Sequence, residues 1–227
     1  MTAQPTMPAE RRAPLTRERV LQAAIALADS AGIDSLTMRR LGEELGVGPM
    51  ALYRHVANKE DLIDAIVDIV FVEIGQPLAA GDWKAAMRDR ALAVRDALIR
   101  HRWAIGLMES RAHPGPANLA HHDAVIGCLR AADFDIAMAA HAYSVLDSYI
   151  YGFAATQLAL PFTAADAGEV AESMLRPFSA GSYPHLTEML TDHVMQPGYD
   201  YADEFELGLN LILGGLERAL EAAREGA

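Results

Sequence analysis

The chain has 227 residues, room for one large domain or a small one joined to a larger one, and its 52% hydrophobic and 22% charged content is that of a globular protein with a core. A net charge of −12 argues against a general polyanion binder, and a single cysteine, Cys128, excludes an intrachain disulfide. No run of about 18 apolar residues offers a membrane span, so the expectation is a soluble cytoplasmic protein.

Residues 1–14 are rich in Pro, Ala and Thr, lack helical periodicity and read as a disordered arm. Thr16 is placed to cap a first helix whose apolar face is Val20, Leu21, Ala24, Ile25, Leu27 and Ala28, ended by Gly32. Thr37 caps a second helix with Met38, Leu41 and Leu45 on one face, and Gly46 falls where a left-handed C-cap needs glycine. Val47 and Gly48 make the turn, and Pro49 opens a short third helix that turns Leu52 and Val56 inward and leaves Met50, Ala51, Tyr53, Arg54 and His55 outward. Asn58 caps the next helix, from Lys59 to about Ile74, whose Leu62, Ile63, Ile66, Val67, Ile69 and Val70 lie on more than one side. Such a helix is expected to be buried between layers.

A helix, a glycine turn and a short helix with an inward Leu form a helix-turn-helix, and aromatic and basic groups on the outward face suit a DNA major groove. The stretch LTMRRLGEELGVGPMALYRHVANKEDL resembles the DNA-binding motif of the tetracycline-repressor (TetR) family of bacterial transcription regulators, most of all in LYRHV and NK. By that resemblance and by geometry, Pro49, Met50 and Ala51 approach base edges, with apolar readout, and Gly48 before them is among the DNA-binding residues. Arg39 and Arg54 are candidates for guanine, and Thr37, Tyr53, His55 and Lys59 for phosphates, with Tyr53 alternatively packing on the head's own core. Arg11, Arg12, Arg17 and Arg19 either extend this contact to the DNA backbone or minor groove or belong to a solvated tail. Charge follows the same division: residues 1–60 hold 8 Lys/Arg and 7 Asp/Glu, the remainder 11 and 24.

Beyond Gly81 the expected helices are Trp83 to about Arg100 (Met87, Ala91, Val94, Leu98 inward), a short apolar turn at 103–109, 118–131, 136–160, 169–176, 183–195 and 203–224. The fold class is all-α: a helix-turn-helix head at 15–60, a connecting helix to about 75, and a larger helical ligand-binding and dimerisation domain at 76–227. Segments 136–160 and 203–224 are apolar nearly all round, which one chain of this size does not fully cover; an identical subunit is the simplest second partner. Gly208, Gly214 and Gly215 fit close approach of a neighbouring helix, and DEFELGLNLILGGLE resembles the closing dimerisation helix of the same family.

The resemblance implies a homodimer on double-stranded operator DNA whose body holds a small-molecule effector, with no metal, cofactor or catalytic residue of the chain's own. Val94, Leu107, Met108, Arg111, His122, Val125, Tyr143 and Asp147 are the candidate pocket residues. Asp147, a carboxylate on an apolar helix, needs a partner: a cationic ligand or an arginine such as Arg111. Where tetracycline-binding members place drug and magnesium ligands, this sequence carries Gly75, Arg90, Leu107 and Val125, which implies a different, aromatic or amphipathic effector. His113, His121 and His122 with Asp123 lack a ligand spacing and read as surface histidines. An enzyme finds no support in a nucleophile elbow, phosphate loop or Glu-x-x-His pair. A helical scaffold or small-molecule-binding protein with a degenerate head is the remaining alternative.

Overall fold

The computed structural model describes residues 14–77, 81–176 and 182–225; the arm expected over 1–14, with Arg11 and Arg12, lies outside them apart from Pro14. Every regular element among the described residues is helical: α1 Arg17–Ala31, α2 Met38–Leu45, α3 Pro49–Leu52, α4 Lys59–Ile74, α5 Trp83–Arg100, α6 Pro116–Ala131, α7 Ile136–Ala159, α8 Ala167–Leu175, α9 Pro184–Met189 and α10 Glu204–Glu225, with short 3-10 and π turns between them. The chain divides into two units, Met1–Val67 and Asp68–Ala227, with the division inside α4.

The first unit is set by its caps. Thr16 Oγ1 accepts from the Arg19 amide at 3.2 Å and Thr37 Oγ1 from the Arg40 amide at 3.1 Å, each satisfying an N–H that a helix start leaves open. Asn58 and Asp61 cap α4 reciprocally: Asn58 Oδ1 accepts from the Asp61 amide and Asp61 Oδ2 from the Ala57 amide, both at 2.8 Å. Gly46 takes the left-handed conformation, φ 66° and ψ 35°, that ends α2. The core is the expected face of α1 with Leu36, Leu41, Leu52, Val56, Leu62 and Ile66, all but closed to solvent.

On α4 the buried positions are Leu62, Ile63, Ile66, Val67, Val70 and Phe71, a single stripe at i, i+1, i+4, i+5. Ile69 is only half-buried and Val72 is exposed, so α4 is not enclosed on several sides as its composition suggested. Adjacent branched residues fill two faces of the helical wheel, and burial is complete on only one of them.

In the second unit α7 is the central helix, packed against α5, α6 and α10. Asp82 caps α5 and Asp135 caps α7. Asp68, on α4, accepts from the Asn118 amide in the first turn of α6 at 2.9 Å, a carboxylate at a helix N-terminus. Gly115 precedes that turn because any side chain there would overlap the Asp68 carboxylate. The segment expected as one helix at 183–195 is α9 followed by a π turn, Leu190–Val194, and with α8 it closes a small separate core of Ala167, Ala171, Leu190 and Val194.

Candidate functional site

α3 has only four helical residues, too few to persist unaided. Its position follows from the turn before it. The Val47 amide donates to Gly42 O at 2.8 Å, and the Ala51 amide to Gly48 O at 2.9 Å. A Cβ at Gly42 would stand 2.8 Å from Val47 O, so α2 meets the turn backbone directly at that residue. Sequence reading overlooked Gly42, although a glycine inside an amphipathic helix, about 1 kcal/mol worse than Ala, is itself a signal of close approach.

With Leu52 as the buried anchor, Gly48, Pro49, Met50, Tyr53 and Arg54 stand exposed, and Ala51, His55 and Lys59 are half-buried. Met50 keeps 76% and Tyr53 44% of its surface open, so Tyr53 is not a core residue of this unit. Arg39 projects from α2 beside Glu43 at 3.7 Å, an exposed pair that a stronger acceptor displaces at little cost. Thr37 uses its Oγ lone pair on the cap and keeps its O–H to donate. Arg19 is held on Pro14 O at 2.8 Å and Arg17 stands 4.0 Å from Asp61, so both have local partners.

The second unit contains a buried polar relay. Arg90 Nη2 donates to Asp147 Oδ1 at 2.6 Å, and Arg90 Nε donates to His121 Nε2 at 3.0 Å. His121 Nδ1 lies 2.7 Å from Gly75 O, just past the end of α4. A carbonyl only accepts, so His121 carries its proton on Nδ1 and is neutral. Burial pushes its pKa down to about 4, only partly opposed by the Gly75 bond, while the Arg90 cation lowers it further. Beside this relay Tyr143 is hydrogen-bonded with His122 Nδ1, and its ring lies 5.7 Å from the Arg90 guanidinium. Burial raises the Tyr143 pKa, so the hydroxyl keeps its proton at neutral pH. Tyr151 donates to Glu109 Oε1 at 2.9 Å and is likewise raised by burial.

Of the expected pocket residues, Asp147, Tyr143 and His122 come together around Arg90. Val94, Met108 and Val125 are fully buried in the core, and Leu107 and Arg111 are half-buried. The partner of Asp147 proves to be Arg90 rather than Arg111. His121 is 1% exposed, not a surface residue, because it falls with Asn118, Val125 and Cys128 on the inward stripe of α6; His113 is exposed. Arg90 falls in the same way with Met87, Ala91 and Val94, a signal present in the sequence.

Arg90 also lines a cavity of about 280 Å³ with Ile74, Gly75, Pro77, Ala86 and Ala93. A larger one of about 540 Å³ lies between Ile99, Arg102, Leu158, Phe162 and Tyr201, away from the relay. None of the eight expected pocket residues lines either of these two cavities.

Residues 20–66 match the family model described as bacterial regulatory proteins, tetR family, and residues 76–220 that of the tetracyclin repressor-like C-terminal domain. The chain is similar to the HTH-type transcriptional repressor DrrR1 of Streptomyces coeruleorubidus, 32% identical over 93% of this chain and 80% of the relative. It is equally similar, at 32% identity, to the tetracycline repressor protein class C of Escherichia coli, over 90% of this chain and 91% of that one. Among solved structures, the Streptomyces coelicolor TetR family protein ActR in complex with actinorhodin matches at 29% identity and TM-score 0.71, over 92% of this chain and 99% of that one.

Proposed function

The chain belongs to the tetR family of bacterial regulatory proteins, and from that footing we propose that it is a repressor released from its operator by a small molecule. It is a ligand-responsive DNA-binding transcriptional regulator, like the relatives it matches, and those relatives are regulators rather than enzymes. The observation that carries the reading is α3, a four-residue helix with an exposed Met50 and Tyr53, seated by the contact of Gly42 with the turn. A helix so placed has no packing role for its outer face.

In this reading Pro49, Met50 and Ala51 meet base edges, Arg39 and Arg54 read guanine, and Thr37, Tyr53, His55 and Lys59 hold phosphates. Two copies are needed to read two half-sites about 34–36 Å apart. The second unit supplies a suitable face. On α10, Leu207 and Leu211 are 60% and 69% exposed, opposite the buried Phe205, Leu209 and Leu213. On α7, Val145, Ser148, Gly152, Ala155 and Ala159 form an exposed stripe of mostly small side chains. These two neighbouring helices and their twins form the dimer interface. No helix among the described residues is long and apolar enough to cross a membrane, and we place the protein in the cytoplasm with its operator.

The effector site is the Arg90 cavity with Asp147, Tyr143 and His122 beside it. α6 joins it to α4 at two points, through Asp68 at the Asn118 amide and through His121 at Gly75 O. A ligand that draws on Arg90 therefore acts on the end of α4. Fluorescence anisotropy with the promoter of the chain's own operon tests the whole: tight, sequence-selective binding reversed by a compound is expected. Binding with a salt slope and no sequence preference means a degenerate head instead.

A further inference from the structure

Sulfur side chains are oxidised where an oxidant reaches them. Cys128, the one cysteine, is 3% exposed, and burial pushes its thiol up, so it offers little thiolate at neutral pH. Among the described residues three methionines are exposed, Met50, Met174 and Met189, and the rest are buried or half-buried. Met50 is 76% open, against 44% and 50% for the other two. It stands on α3 between Pro49 and Ala51, whose short side chains leave its thioether uncovered.

Met50 also differs from the other two in its task. Set against base edges it reads by apolar contact, which a thioether suits and a sulfoxide does not. Oxidation makes the side chain polar and chiral, with an oxygen that accepts hydrogen bonds. Pressed on a thymine methyl, that oxygen loses its water and finds no donor. α3 is seated by the approach of Gly42 to the turn backbone, so the helix has little room to shift and spare the contact.

We propose that Met50 is a reversible oxidation site, and that its sulfoxide releases the protein from its operator without any ligand in the second unit. The oxidant is a hypohalous acid, here hypochlorous acid. The sulfur lone pair attacks chlorine and hydroxide leaves; hydroxide then displaces chloride from sulfur, and chloride and a proton are released. The thioether loses the two electrons that the oxidant gains. This rests on the reading of α3 as the groove-reading helix and gives that helix a second input.

The test titrates the full-length protein with hypochlorous acid at neutral pH. Peptide mass spectrometry locates each added oxygen, and fluorescence anisotropy with the promoter of the chain's own operon reads affinity. Met50 is expected to take its oxygen at a lower dose than Met174 or Met189, and bound duplex to protect Met50 alone. Affinity is expected to fall about tenfold or more, the scale of one mismatched base pair, and to return with methionine sulfoxide reductases A and B. Met50→Leu has an affinity of its own, so its readout is the ratio after and before oxidant, expected near one. Met174→Leu with Met189→Leu is expected to keep the full loss. Oxidation of Met50 no earlier than the other two, an equal loss in Met50→Leu, or a loss the reductases do not reverse overturns the switch. If duplex protects Met50 but its sulfoxide binds as tightly, the switch is wrong and the placement of Met50 stands. If Met50 is oxidised selectively and duplex neither protects it nor is released, its placement at base edges is wrong and the switch falls with it. If the untreated protein prefers no duplex sequence, the operator reading itself has failed.

Discussion

The Tyr149 hydroxyl donates to Phe205 O at 2.9 Å and lies directly over Gly208, where any Cβ would overlap it. The close approach that glycine permits on α10 is thus made by α7 of the same chain. Gly214 and Gly215, by contrast, meet only Arg218 of their own helix. Gly208→Ala is expected to lower stability by about 1–3 kcal/mol through overpacking, read as a fall in melting temperature. Gly214→Ala is expected to leave the fold of a single chain intact and to act, if anywhere, on dimerisation.

Leu211→Arg places a charge on the exposed stripe of α10. Sedimentation or light scattering is expected to show dissociation to monomer, with operator affinity falling in parallel because two half-sites are no longer read together. A dimer of unchanged strength would move the interface away from α7 and α10.

Asp147→Ala leaves the Arg90 guanidinium buried without a counter-ion. The expected loss is about 3–5 kcal/mol, and replacing both residues, Arg90→Met with Asp147→Leu, is expected to cost much less than Asp147→Ala alone. Urea denaturation of the single and double variants compares the two.

His121 makes stability depend on acid. Its folded-state pKa, near 4, lies below the ordinary value of 6.5, so between those values the unfolded chain binds more protons. The contribution is complete above about pH 6.5 and is lost as pH falls toward 4, by a few kcal/mol in all. His121→Gln is expected to flatten the melting profile over that window. A wild-type profile that is level from pH 7 to 4.5 would exclude a buried neutral imidazole.

On the DNA side, Arg39→Ala, or Tyr53→Phe combined with Lys59→Ala, is expected to weaken operator binding by about 1–3 kcal/mol in a gel shift. The phosphate pair is expected to lose affinity on all sequences and to reduce the salt slope by about one for each contact removed. An unaltered affinity would displace these residues from the interface.

The first unit was almost wholly legible from sequence because its determinants are local. Thr16, Thr37, Gly46, Pro49 and Asn58 each act within three or four residues of their place in the chain. The polar relay was legible only in part. Asp147 announced a need for a partner, but which arginine supplies it is decided by how α5 and α7 pack across 57 positions, a relationship no local spacing encodes. Position on a stripe was the better guide: Arg90 and His121 both fall in register with buried apolar residues, and a polar residue in that register is bound to be satisfied from within.

Arg90, His121 and Asp147 sit on three different helices, and Arg90 donates to both of the others. A substitution at Arg90 takes a partner from both of the others at once, so the mutational steps open to that position are coupled ones. Lineages that come to sense a different compound are therefore expected to alter the three columns as a set, or to leave them untouched and change the rings around them.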